Sequence, residues 1–211
     1  MANFENDCTE VADRIYVAGE RVARDLAALE SNGITHVINC AGDVVPECFP
    51  ERFRYLTFFL RDSVSEDISA ILAPAIAFID AALHGSDGDD DGDNDGGSKV
   101  LIHCHQGVSR SCAVAIAYLM FRSGNDYDTT YRAVKARRRV CRPNLKFTCD
   151  LLDFHTRRTG KSALLERPAL FRVARHAPGK SPLLVCQRLE RAHISALDRR
   201  GVFVLQPAAR E

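Results

Sequence analysis

Residues 99–111, K-V-L-I-H-C-H-Q-G-V-S-R-S, set a thiol, two imidazoles, two hydroxyls and a guanidinium within nine positions. An apolar run (Val100, Leu101, Ile102) leads to His103 and Cys104; Arg110 follows six positions after Cys104, and Ser111 comes next. From Cys112 to Phe121 the residues turn apolar and helix-forming. The pattern predicts a strand, a tight loop and a helix, with the thiol ending the strand and the guanidinium opening the helix. Such a turn aims loop N–H groups and a helix N-terminus at one place and favours negative charge there. Arg110 adds a planar pair of donors suited to two phosphate oxygens. The same field favours Cys104 as a thiolate. A thiolate held against a bound phosphoryl group is a nucleophile for phosphoryl transfer, with the phosphate charge spread over donors already in place. His105, Gln106, Gly107, Val108, Ser109 and Arg110 are the expected phosphate-binding residues. Ser111 is placed to stabilise the thiolate as it leaves, and Gly107 suits a loop that curls through φ values a Cβ resists.

Spacing alone does not select this site. Cys8/Arg14, Cys48/Arg54 and Cys104/Arg110 all share the six-residue step. The first lies in a polar stretch with no strand before it. The second has Pro50 in the loop, no glycine, and no helix directly after Arg54. Only Cys104 has strand before, glycine within, hydroxyl after and helix beyond.

With those residues in view, H-C-H-Q-G-V-S-R-S resembles the signature loop of the cysteine-based protein phosphatases, and the surrounding chain resembles their dual-specificity branch. The resemblance implies Cys104 as nucleophile, Arg110 as phosphate clamp and Ser111 as the group assisting thiolate departure. It also implies an upstream aspartate as general acid and then base, and Asp62 holds that position just past a predicted strand. A lone loop aspartate is otherwise a turn residue. His103 and Asn144 are assigned to loop support, Asn144 because the family places an asparagine there. Three residues past Phe147, where the family commonly has Gln, this chain departs from the pattern with Asp150.

The elements that must position these groups can be read in order. Residues 14–17 and 35–39 read as strands, with His36 structural; residues 22–32 read as a helix stopped by Gly33, and 53–60 as an aromatic-rich strand. Ser65 is a candidate N-cap, with Glu66 and Asp67 as first-turn acids. Ile68, Ile71, Leu72, Ile76, Ile79 and Leu83 make a helical stripe that should cover one face of the sheet, with Pro74 as a kink point. Residues 85–98 are acidic and without apolar side chains, so a disordered insertion is expected; the Asp87, Asp89, Asp91 spacing lacks the closing Glu of a calcium loop. Gly124 should end the signature helix. Asp128 should cap the next helix, whose Lys135, Arg137, Arg138 and Arg139 read as a solvated face or, alternatively, as a seat for an acidic partner. Pro143 and Asn144 open a last helix. The His103-Cys104-His105 triplet has no second ligand cluster, so no metal and no other cofactor is expected. A disulfide between Cys104 and Cys112 under oxidation stays open.

The expected fold class is α/β, a central mixed sheet of about five strands flanked by helices, dual-specificity phosphatase-like, over residues 10–160. The tail, 161–211, resembles the segment after the phosphatase domain in plant-type MAP kinase phosphatases, where a gelsolin-like repeat begins. Only its opening strand, 201–205, is foreseen; the sequence breaks off within such a repeat, or the segment packs on the domain, or it is disordered.

Composition is that of an ordinary globular protein: 211 residues, 46% hydrophobic, 27% charged, net charge zero. That balance argues for no nucleic-acid or membrane partner. The N-terminus lacks the regions of a signal peptide, and eight cysteines without one read as reduced thiols. A cytoplasmic or nuclear setting is the expectation. Between Cys104 and Arg110 there is no Lys or Arg, where phosphoinositide members of the superfamily tend to be basic. The expected function is therefore removal of phosphate from phosphotyrosine and phosphoserine or phosphothreonine through a phosphocysteine, with a phosphorylated protein, a MAP kinase, as partner. The alternatives are a phosphoprotein-binding pseudophosphatase or scaffold, and a phosphatase for RNA 5′ ends or lipids.

Overall fold

The computed structural model describes residues 4–85, 97–160, 168–189, 192–197 and 201–207. Its framework is a five-stranded sheet in the order β1-β2-β5-β3-β4, formed by β1 (Thr9–Ala12), β2 (Ile15–Ala18), β3 (His36–Asn39), β4 (Arg54–Thr57) and β5 (Val100–His103). β2, β5, β3 and β4 run parallel, and β1 joins antiparallel at one edge. The sheet is mixed and five-stranded, as the sequence implied.

Parallel strands need both faces covered, and β2, β3 and β5 are buried at every residue. One face carries α3 (Ser69–His84), α4 (Arg110–Ser123), α5 (Tyr127–Arg137) and α6 (Leu145–Arg158). The predicted stripe of α3 is buried there, and Pro74 sits inside the helix without ending it. The opposite face is covered by α1 (Glu20–Ala23) and α2 (Leu26–Ser31), whose Val22 and Leu29 pack with Tyr16, Val37 and Leu101. No helix among the described residues is long and apolar enough to cross a membrane.

Several boundaries differ from the sequence reading, each for a local reason. The helix foreseen over 22–32 is broken at Asp25, whose carboxylate accepts from the Ala28 N–H at 3.1 Å and starts a new helix. The strand foreseen over 53–60 ends at Thr57, because residues 58–62 leave the ladder to form a loop. α5 is capped by Asp126, which accepts from the Thr129 N–H at 2.8 Å; Asp128 lies inside the first turn and pairs with Arg132. Ser65 caps nothing; Asp67 accepts from the Ser69 N–H at 2.8 Å. Gly124 does end α4, at φ +74°.

The largest correction is in the tail. Instead of one strand, it forms a three-stranded antiparallel sheet, β7-β6-β8, from β6 (Ala169–Arg175), β7 (Leu184–Arg188) and β8 (Val202–Gln206). This sheet packs on the main body: Val185 is buried in the principal core, and Lys180 forms an ion pair with Asp43. The acidic insertion, with its calcium-like aspartates, lies outside the described residues apart from its two ends.

The parallel register has one consequence for chemistry. Ala18, Asn39 and Thr57 stand level with His103 or with each other across the ladder. The loops that follow β2, β3, β4 and β5 therefore open on the same edge, outside the carboxyl ends of the strands, where ligands of such sheets bind.

Candidate active site

Cys104 leaves β5 into the loop and is almost fully buried, with its Sγ the acceptor of the Gly107 N–H at 3.2 Å. Ser111, on the first turn of α4, holds its Oγ 3.3 Å from that sulfur. Gly107 turns the chain at φ +70°; a Cβ there would lie 2.5 Å from the Ala18 carbonyl, so only glycine brings this amide to the thiol. Ser109 stands at the N-cap position of α4 but does not cap it. The first-turn N–H groups of the helix are left without a side-chain acceptor, the condition for an anion site.

The Ser109 hydroxyl instead donates to Asp62 Oδ1 at 2.8 Å and accepts from the Asn144 N–H at 3.1 Å. Asn144 Nδ2 donates to the same Asp62 oxygen at 2.8 Å, while its Oδ1 caps α6 through the Phe147 N–H at 2.9 Å. One asparagine thus ties the start of a helix, the phosphate loop and Asp62 together. Arg110 is buried, and its Nη1 donates to the Leu60 carbonyl at 3.0 Å, two residues before Asp62. A cleft of about 530 Å³ is lined by Asp62, Cys104, Gln106, Val108, Arg110 and Asn144, among others.

Two predicted residues sit differently from the rest. His105, which also lines that cleft, holds its ring on Glu20, with Nδ1 2.8 Å from Oε1, while its carbonyl accepts the Glu20 N–H at 2.9 Å. His103 is buried beneath the loop; its carbonyl accepts from Cys40, and burial pushes its pKa down to about 4, so the ring is neutral at pH 7. Asp150, the departure from the family pattern, accepts from the Ile68 N–H at 3.2 Å and pairs with Lys146, so it holds the start of α3 rather than the loop. Cys112 directs its thiol to the Gly107 carbonyl at 3.6 Å. Among the described residues, no group of three or more His, Cys, Asp or Glu is placed to share a metal ion.

The sequence reading missed Arg138. It is not on a solvated face: it is 2% exposed and donates to the Gly107 carbonyl (2.7 Å), the Asp7 carbonyl (3.1 Å) and Thr9 Oγ1 (2.8 Å). A signal existed. Thr130 and Val134 are buried on α5, and Arg138 continues that stripe at the next helical step. Arg142 also serves the loop, its N–H donating to the Val108 carbonyl at 2.8 Å.

This arrangement can bind a tetrahedral dianion over a thiol, with a hydroxyl beside the sulfur and a carboxyl group at the rim. Comparison with known proteins agrees with it. The family model described as "Dual specificity phosphatase, catalytic domain" matches residues 15–157. The chain is 37% identical over 210 residues to the Protein-tyrosine-phosphatase MKP1 of Arabidopsis thaliana, covering 98% of this chain and 25% of that protein. It is 33% identical over 147 residues to human Dual specificity protein phosphatase 2, covering 70% of this chain and 43% of that one. It thus spans about a quarter of the first relative's length and less than half of the second's. Among solved structures, the human tyrosine phosphatase-like serine/threonine/tyrosine-interacting protein is similar at TM-score 0.63 and 27% identity, over 72% of this chain and 97% of that one. A mouse putative dual specificity phosphatase complexed with zinc tungstate is similar at TM-score 0.59 and 29% identity, over 72% and 89%.

Proposed function

The chain belongs to the dual specificity phosphatase family, and on that premise we propose that it removes phosphate from phosphotyrosine and from phosphoserine or phosphothreonine of protein substrates, MAP kinases first among them. The observation that carries the reading is the juxtaposition at the loop. Cys104 and Ser111 meet at its floor, while Ser109 and Asn144 fix Asp62 at its rim.

In the first step the Cys104 thiolate attacks phosphorus, the P–O bond to the side-chain oxygen breaks, and protonated Asp62 delivers its proton to that oxygen. The product is a phosphocysteine. In the second, Asp62 as carboxylate takes a proton from water as the water oxygen bonds to phosphorus. The S–P bond breaks and sulfur leaves as thiolate, stabilised by the Ser111 hydroxyl. Arg110 and the loop amides bind the phosphoryl oxygens in both steps, donors fixed before charge moves. No step uses a metal.

The absence of Lys and Arg between Cys104 and Arg110 supports a protein rather than a phosphoinositide substrate, and the similarity to a plant phosphatase over nearly the whole chain supports the kinase assignment. A mouse putative dual specificity phosphatase of similar fold has been complexed with zinc tungstate, and tungstate is an oxyanion shaped like phosphate, which supports an oxyanion ligand for the fold. A catalytic thiolate works best where thiols stay reduced, so we place the protein in the cytoplasm or nucleus. A second reading, a phosphoprotein-binding scaffold, draws on the human neighbour named as a phosphatase-like interacting protein. Nucleophile and acid together argue against it.

The test is hydrolysis of a doubly phosphorylated kinase activation-loop peptide by wild type, Cys104→Ser and Asp62→Ala. Release of both phosphates, abolished in Cys104→Ser and strongly slowed in Asp62→Ala, is expected. Tight binding without turnover by wild type would replace the enzyme with the scaffold.

A further inference from the structure

The segment from β4 to Asp62 is held at every residue. Phe58 donates its N–H to the Asn39 carbonyl at 2.7 Å, Leu60 accepts from Arg110, Arg61 donates its N–H to Glu66 Oε2 at 3.1 Å, and Asp62 takes Ser109 and Asn144. Phe59 differs from its neighbours. Its N–H donates to Nε2 of His176 at 2.8 Å, 117 residues away in sequence, on the hairpin that joins β6 to β7.

His176 is itself firmly set. Its N–H closes the hairpin on the Leu183 carbonyl at 2.8 Å, and its ring stands edge-on to Phe58, with centroids 5.6 Å apart. Lys180, at the hairpin tip, pairs with Asp43 and lies over the Phe59 ring, 5.6 Å from its centroid. A backbone N–H can only donate, so Nε2 carries no proton and the ring is the Nδ1–H tautomer. Burial lowers the ring's pKa, against a smaller opposing pull from Asp43, and so favours this neutral acceptor form.

We propose that His176 is a positioning residue for the acid-bearing segment: the β6–β7 hairpin fixes Phe59, and through it sets Asp62 against the phosphate loop. Phe59 directly precedes Leu60, whose carbonyl holds Arg110, and lies three positions before Asp62. Freeing its N–H loosens the turn that carries the acid. A general acid must lie within hydrogen-bond reach of the oxygen it protonates, and small displacements are costly. The tail is then a working part of the catalytic unit. This inference rests on the phosphatase reading with Asp62 as acid.

The test uses the full chain and two phosphate esters: phenyl phosphate, whose leaving oxygen needs a proton, and 2,4-dinitrophenyl phosphate, whose leaving oxygen does not. His176→Phe keeps a ring against Phe58 and removes the acceptor. Its kcat/KM on phenyl phosphate, set by the step in which the leaving oxygen is protonated, should fall about tenfold, with kcat/KM on the dinitrophenyl ester unchanged. His176→Gln, whose amide oxygen can accept from Phe59, should restore most of the rate. Lys180→Met, which unpins the hairpin outside the core, should give a smaller loss of the same selective kind, and keeps the test open if His176→Phe does not fold. Equal loss on both esters, or no loss in either variant, overturns the inference. Asp62→Ala separates the two levels. If it is not selective for phenyl phosphate, the acid assignment fails; if it is selective and the tail variants are not, the inference alone fails.

Discussion

Replacing Arg138 by Met removes a buried cation that ties the phosphate loop to the N-terminal strand. Its guanidinium makes three hydrogen bonds, to the Gly107 and Asp7 carbonyls and to Thr9 Oγ1. A hydrogen bond from a charged donor contributes about 1.5–3 kcal/mol, so the gross loss is roughly 5–9 kcal/mol. Against this, the buried guanidinium no longer needs to be stripped of water, which returns several kcal/mol. Met fills much of the volume but leaves the Gly107 carbonyl short of its charged partner. The net loss is about 3 kcal/mol, and at about 2–4 °C per kcal/mol for a chain of this size Tm should fall by roughly 6–12 °C. Calorimetry and urea unfolding measure it. Because Gly107 also supplies the N–H that reaches Cys104 Sγ, kcat on an aryl phosphate should fall about tenfold. A Tm equal to wild type would return Arg138 to the solvated surface and refute the argument. A lowered Tm with unchanged kcat would refute the bracing of the loop.

Three further outcomes are expected. Gly107→Ala forces a Cβ to within 2.5 Å of the Ala18 carbonyl at φ +70°; it should lose most activity and about 2–3 kcal/mol in urea unfolding. Asn144→Ala removes the cap of α6 and one of the two donors to Asp62. It should cost about 1 kcal/mol of stability and slow substrates with poor leaving groups more than those with good ones. The His103 pKa, pushed down by burial to about 4 from an ordinary 6.5, means the unfolded chain binds more protons than the folded one between those values. Stability from this site is therefore fully present above pH 6.5 and falls by about 3 kcal/mol as pH drops to 4; His103→Gln should flatten that slope in urea titrations run across the window.

What the sequence disclosed was mostly local. The strand-loop-helix around Cys104 and the stripe of α3 depend on neighbours within one or two turns, and both are visible as periodicity. The same is true of the αL stop at Gly124, where a glycine meets the end of an apolar helix. Asp62 and Asn144 were found by resemblance; nothing local tells that one Asp62 oxygen takes both the Asn144 amide and the Ser109 hydroxyl, which lie 82 and 47 residues away. Ser109 was expected in the loop, but that its hydroxyl donates to Asp62 and accepts from the Asn144 N–H depends on partners 47 and 35 residues away, which no local pattern shows. Capping was misplaced by two residues at α5, since Asp126 and Asp128 are chemically equal and only the extended backbone at Asp126 decides between them. The tail was underestimated for a different reason. β6 (A-L-F-R-V-A-R) shows no strict alternation of apolar and polar residues, and its partners β7 and β8 lie on either side of it in space though both follow it in sequence. Such pairing costs loop closure before any contact forms and leaves little local trace.

The central claim is that Cys104 carries the phosphoryl group between two steps and that Ser111 helps it leave. Ser111→Ala removes the hydroxyl 3.3 Å from Sγ, so the second step should become rate-limiting. A rapid acid quench of Ser111→Ala during turnover of an aryl phosphate, followed by peptide mass analysis, reads this directly. The account predicts a burst of phenol close to one per enzyme and a phosphoryl group on the peptide containing Cys104. A linear time course with no phosphorylated Cys104, from a variant that still turns over, would contradict it.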